Sequence, residues 1–394
     1  MNRRSAKREG GFSLVELLIA MIVGTVVMAA AVQLYSQGVG ATFTVSQRAE
    51  LQQDFRAGSD MLTRDLSLAG AGLQAGVPIT LPSAITPRYG CDQTPKCYLG
   101  AANSTAVTYP LQGATPTLYG LIPGFQAGPT LTSNPNATDA VTVVYTDTTF
   151  NLNCYTATVT AAGSVTFGPA TTPLDKNGNP PVWPPTSCLV NGMAAPETVN
   201  DANVGLTPGD LVYFPSLNGT TIVGEVTAGA ITVGANAVGT TYTVPFANND
   251  SLNMNQTPAG KGLNTVAVGA TGTLPSRLLV ITYYIDNTVS PPRLMRQISG
   301  HTPMPVVDGI VYMKFSYDLF NDATGAPAAN QPNPGANDAA DAASAGLFPS
   351  QITKINILHM AMDSTLHGTK GYQGLDLETS VSARNLTFVN TFPN

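Results

Sequence analysis

A short basic leader followed by a single long apolar run constrains this chain more than anything that comes after it. Residues 10–20 read Gly10-Gly11-Phe12-Ser13-Leu14-Val15-Glu16-Leu17-Leu18-Ile19-Ala20, and Arg3, Arg4, Lys7 and Arg8 precede them. Residues 14–32 approach the roughly 20 apolar residues that cross a bilayer. The four cations hold the leader on the cytoplasmic side. Everything beyond the run is then expected to fold on the far side of a membrane. Glu16 lies inside the run, where a lone charge costs at least about 2.5 kcal/mol. A carboxylate kept at that cost needs a partner and is a candidate functional residue. A basic segment, an apolar run and the small residues Ala29-Ala30-Ala31 also fit an ordinary secretory signal. Glu16 argues against that reading, because a carboxylate weakens insertion. A plain single-span anchor is the other simple reading.

The same stretch resembles the class III signal of type IV prepilins and type II secretion pseudopilins. The resemblance implies that a prepilin peptidase cuts between Gly11 and Phe12 and methylates the new N-terminus at Phe12. It gives Glu16, the fifth mature residue, a partner: the N-terminal ammonium of the neighbouring subunit in a filament. Two buried charges in an apolar core are tolerable only as a pair.

Charged residues are 11% of the chain, against a usual quarter or so. Gly and Pro are abundant, which suits a β-rich, loop-rich extracytoplasmic protein. The leader contributes +3 of a formal −6, so the chain from Phe12 carries about −9. Between 71 and 276 the cations are Arg88, Lys96, Lys176 and Lys261 alone. Nucleic-acid binding needs clustered Lys and Arg, so no nucleic-acid partner is expected. The four cysteines, Cys91, Cys97, Cys154 and Cys188, all follow the apolar run and would face an oxidising compartment. They allow three disulfide connectivities; Cys91 with Cys97 and Cys154 with Cys188 is the preferred one.

Beyond the apolar run a helical stripe continues through Tyr35, Val39, Phe43, Leu51, Phe55, Leu62, Leu66 and Ala69, with Gln47 and Ser59 as polar gaps. The pattern predicts one helix over 13–69, about 85 Å long. Gly70, Gly72 and Gly76 then stop it. Gly24, Gly38 and Gly40 weaken it locally, or serve as small contact residues. From 71 to 276, short β-like runs alternate with turns such as Asn177-Gly178 and Asn218-Gly219. Strands are expected near 278–285, 293–298, 304–319, 352–362 and 377–386. The low-complexity stretch 321–346 reads as a mobile loop.

A second resemblance lies in Arg64-Asp65-Leu66 before Ala69-Gly70, with Tyr283-Tyr284, Leu294-x-Arg296, Asp308-Gly309-Ile310, Phe315-x-Tyr317 and Arg384-Asn385. These are similar to PilW-type minor pilins. On charge alone, Arg64 and Asp65 read as solvated surface residues. The pattern departs from that family at Asp363-Ser364 and in its long middle stretch. The resemblance implies an α+β, pilin-like fold: a long N-terminal helix, membrane-spanning in its first half, on an antiparallel sheet head with a large β-rich insertion. The segments expected are a leader at 1–11, a helix at 12–70, a β-rich region at 71–276 and a C-terminal sheet region at 277–394.

The residues offer little chemistry. His301, His359 and His367 are scattered, and no nucleophile elbow, phosphate loop or zinc-spaced pair is present. Asp201 and Asp210 hint weakly at calcium. Trp183, in a proline-rich stretch, reads as a packing residue before a ligand contact. No cofactor, metal or enzyme activity is expected. The resemblance implies a minor pilin that joins or primes a type IV pilus near its tip. Its partners would be prepilin peptidase, other minor and major pilins through the helix, and the inner-membrane assembly platform. The head would sit in the periplasm before assembly and at the pilus or cell surface afterwards. A J-type pseudopilin, a tip adhesin whose insertion binds a surface or glycan, and a Sec-secreted β-rich binding protein are the alternatives.

Overall fold

The computed structural model describes residues 12–74, 79–83, 86–100, 107–112, 114–131, 134–172, 174–183, 198–256, 262–321, 326–335, 347–363, 374–383 and 385–386. The leader, Gly11, Cys188, His367 and Arg384 lie outside them. The fold is α+β: a long N-terminal helix, α1 (Leu14–Ser67), precedes a large antiparallel β region.

α1 has two unlike halves. Among the described residues, none before Gln47 is buried. From there Gln47, Leu51, Phe55, Gly58, Leu62, Asp65 and Leu66 are buried, a stripe at steps of three and four. Gly58 belongs to the stripe because a Cβ there would lie 2.8 Å from Val307 Cγ1. The helix ends where Leu68 N–H donates to Asp65 O, and Gly70 (φ +78°) then turns the chain through the left-handed region.

Two strands lie at the centre of the head, Ala140–Thr146 and Ser276–Asp286, paired antiparallel with Thr142 opposite Thr282. Both are near-continuous apolar runs because both of their faces are buried. Val141, Val143, Tyr145, Ile281, Tyr283 and Ile285 face a first core, which holds the buried stripe of α1. Val144, Leu278, Val280 and Tyr284 face a second core, filled by residues such as Tyr89, Leu99, Tyr109 and Leu118. Leu211–Leu217 pairs with Ser276–Asp286 and is two-faced in turn. Leu211 and Tyr213 face the second core, while Val212 and Phe214 face a third. One sheet therefore runs through the stretches 71–276 and 277–394.

Beside it, the sheet Ala326–Gln331, Ile310–Asn321, Ile352–Asp363 and Gly374–Ser382 closes the first core. Ala326–Gln331 corrects the expectation of a loop over 321–346. It is an edge strand paired to Ile310–Asn321, held by backbone hydrogen bonds that its Ala/Asn/Pro composition does not forecast. Asp318 supports it by accepting from Asn330 N–H at 2.9 Å.

Within the second core, Glu225 and Asp250 are both buried and hydrogen-bonded to each other. Two carboxyls can share a hydrogen bond only with a proton between them. Glu225 Oε2 also accepts from Leu252 N–H at 2.7 Å, and Asp250 Oδ1 accepts from Asn255 N–H at 3.1 Å. Burial, with the Asp250 charge adding to it, pushes Glu225 from 4.5 up to about 8. The native state thus keeps a proton that the unfolded chain releases above its ordinary pKa. The stability this confers is complete below 4.5 and is lost as pH rises through about 8. Glu225→Gln still donates to Asp250 and should flatten that fall. Thermal melts at pH 6 and pH 9 should show a smaller drop for the variant than for the wild type; equal drops would mean that the pair holds no proton.

Candidate functional site: the helix terminus and its anchor

The N-terminal end of α1 is built by a capping box. Ser13 is the N-cap: its Oγ accepts from Glu16 N–H at 3.2 Å, and Glu16 Oε2 accepts from Ser13 N–H at 3.0 Å. The Ser13-x-x-Glu16 spacing carries this signal in the sequence, where Glu16 alone draws attention as a membrane carboxylate. The helix N-terminus also favours a negative charge electrostatically. From Phe12 to Gln47, Glu16 is the only Asp, Glu, Lys or Arg. Phe12 is 89% exposed, and none of the most apolar window of α1 is buried within the chain. By length and composition, α1 can cross a membrane.

The other end of α1 is fixed by a charge. Asp65 is buried rather than solvated, whereas its neighbour Arg64 is exposed. Asp65 Oδ2 accepts from Arg296 Nε at 2.8 Å and from Tyr283 Oη at 2.7 Å, and Oδ1 accepts from Tyr145 Oη at 3.2 Å. Three strands thus converge on one helix residue. Burial, then the Asp65 charge, pushes the Tyr145 hydroxyl up to about 12 and Tyr283 well above its ordinary value, so both remain donors. The motif residues Asp65, Tyr283 and Arg296, far apart in sequence, meet here.

The remaining candidates are dispersed. Cys91 and Cys97 form a disulfide. Its loop docks through Cys91 O, which accepts from Gly300 N–H at 2.8 Å and Gln297 Nε2 at 2.9 Å. Cys154 is also disulfide-bonded. Asp201 caps its own turn through the amides of Asn203 and Val204, while Asp210 binds His301 Nε2 at 2.9 Å. The two aspartates serve separate structural roles, and among the described residues no three His, Cys, Asp or Glu gather as a metal site. His359 pairs with Asp376 at an exposed position. Trp183 is half-buried against Tyr155, ring centroids 5.0 Å apart.

The prokaryotic N-terminal methylation motif matches residues 6–32. The match supports a type IV pilin-like protein, of the kind processed at its N-terminus as pilins and pseudopilins are. Neither the comparison with curated proteins nor that with solved structures gave a match.

The anchor has a measurable weight. Removing one member of a buried ion pair typically costs about 3–5 kcal/mol, because the other charge is left alone. Asp65→Ala should therefore destabilise the head by about that amount, as read by denaturation of the detergent-solubilised chain. Asp65→Ala combined with Arg296→Met should cost clearly less than the two single changes summed. Additive losses would show that the pair is not coupled.

Proposed function

We infer that this chain is a PilW-type minor pilin, which joins or primes a type IV pilus near its tip. Prepilin peptidase cuts between Gly11 and Phe12 and methylates Phe12. The first half of α1 holds the subunit in the bacterial inner membrane, with the head in the periplasm. On assembly the apolar half of the helix leaves the lipid and packs against the helices of other minor and major pilins, moved by the inner-membrane platform. The function is assembly rather than catalysis.

The observation that carries this reading is the continuity of a processing motif with an unpartnered helix. Residues 6–32 match the methylation motif, and the same helix leaves every residue before Gln47 unburied. Its second half, by contrast, is locked to the head by the Asp65 cluster. A helix anchored at one end and bare at the other suits a subunit whose bare end is covered first by lipid and then by other helices. In the proposed filament Glu16 neutralises a neighbour's N-terminal ammonium.

The deciding measurement is the mass of the mature N-terminal peptide from cells with and without prepilin peptidase. An N-methylated Phe12 terminus that is lost without the enzyme is expected; a terminus near Gln33 would overturn the filament reading. Glu16→Ala should be processed normally yet be depleted from sheared pili at least several-fold. Normal incorporation of that variant would remove the ammonium pairing from the mechanism.

A further inference from the structure

Five neighbouring strands of the large sheet carry no charged residue: Thr232–Ala235, Thr240–Pro245, Ser164–Gly168, Thr156–Ala161 and Thr271–Thr273. Their inward side chains, including Val159, Val165, Phe167, Tyr242 and Val244, fill the third core. Their outward positions are mostly threonine. Thr271 stands opposite Thr158, Thr158 opposite Thr166, Thr166 opposite Thr243, and Thr243 opposite Thr232. One threonine from each of five strands therefore forms a single row across the sheet, with steps of about 4.8 Å. Thr156, Thr160, Thr241 and Thr273 lie two residues along their strands and so share the face. The hydroxyls are ordered by one another: Thr166 and Thr243 are 2.7 Å apart, Thr160 and Thr166 3.2 Å.

This face selects a partner by what it lacks and what it repeats. With no charge on it, an ionic ligand would lose hydration and gain no counter-charge. Five strands at about 4.8 Å, each contributing two or three outward residues, span only roughly 300 Å². That is well short of the ~800 Å² per partner of a stable protein interface. A repeating, uncharged ligand needs no such area, because weak contacts at successive strands add along its length. β-Branched side chains are stiff, so little rotamer freedom is lost on contact.

We propose that this threonine face is a docking surface for an extended, uncharged polysaccharide chain lying across the strands. The sugar hydroxyls exchange hydrogen bonds with the threonine rows, and the sugar C–H edges rest on the threonine methyls. The inference does not rest on the minor-pilin reading, since the face belongs to the head and would act the same in any exported protein.

The test uses the full-length chain in detergent and microcrystalline cellulose as the probe, with an anionic polysaccharide resin as control. Retention on cellulose but not on the anionic resin is expected. The triple variant Thr158→Val, Thr166→Val, Thr243→Val keeps shape and β propensity while removing the hydroxyls, and should be retained at least tenfold less. Unchanged circular dichroism and melting would show that it folds; if it does not, Thr166→Val alone is compared. The proposal is overturned by wild-type chain that passes through cellulose, or by valine variants retained as well as wild type. It is equally overturned by wild-type chain that self-associates through this face, seen as dimers in sedimentation that the variant abolishes.

Discussion

The organisation of this molecule depends on a single buried charge. Asp65 sits one turn from the end of α1 and draws Arg296, Tyr283 and Tyr145 to itself from three strands. A buried carboxylate is tolerable only when paired and hydrogen-bonded, and that requirement fixes more than a contact between apolar surfaces would. Leucines at a helix–sheet seam can slide by a fraction of a turn at small cost. A carboxylate with three directional donors cannot. The cluster therefore sets both the axial position and the rotation of α1 on the sheet, and with them the direction in which the exposed half projects from the head.

The sheet beneath that anchor explains how a long β-rich stretch is accommodated. Ala140–Thr146 and Ser276–Asp286 are buried on both faces, one side against the helix and the other against the second core. Leu211–Leu217 repeats the device one step further out, between the second and third cores. Each layer is thus one side of a strand that already belongs to the previous layer. The third core lies two strand faces away from α1, and its outer surface is free of any duty toward the helix. That freedom is why a charge-free threonine face can exist on the head with no effect on the packing of α1.

The N-terminal half of the architecture was legible in the sequence because the length of an apolar run and helix periodicity are both local properties. The run from Leu14, the heptad-like stripe and the stop at Gly70 need no knowledge of distant residues. Asp65 was harder to read. Beside Arg64 it resembles any solvated pair, and its burial follows only from the arrival of Arg296 and Tyr283 from more than two hundred residues away. The strand at Ala326–Gln331 escaped for a related reason: an edge strand is held by its backbone, and Ala, Asn and Pro side chains leave no pattern. The threonine row is a property of register, which residues on separate strands cannot reveal one strand at a time.

At the other end of α1, the capping box changes how the membrane carboxylate should be understood. A bare Glu16 in lipid would be an unsatisfied charge awaiting a partner. In this chain one oxygen, Oε2, already accepts from Ser13 N–H, which is one of the donors a helix start leaves open. The charge also lies at the positive end of the helix dipole. Both effects would lower the cost of Glu16 in a bilayer, independently of any neighbouring subunit. Capping uses a single oxygen, so Oε1 can receive an ammonium while Oε2 keeps the helix start closed. In the proposed assembly step, pairing with a neighbour then adds an interaction without removing one, and the first turn of α1 need not unwind to make it.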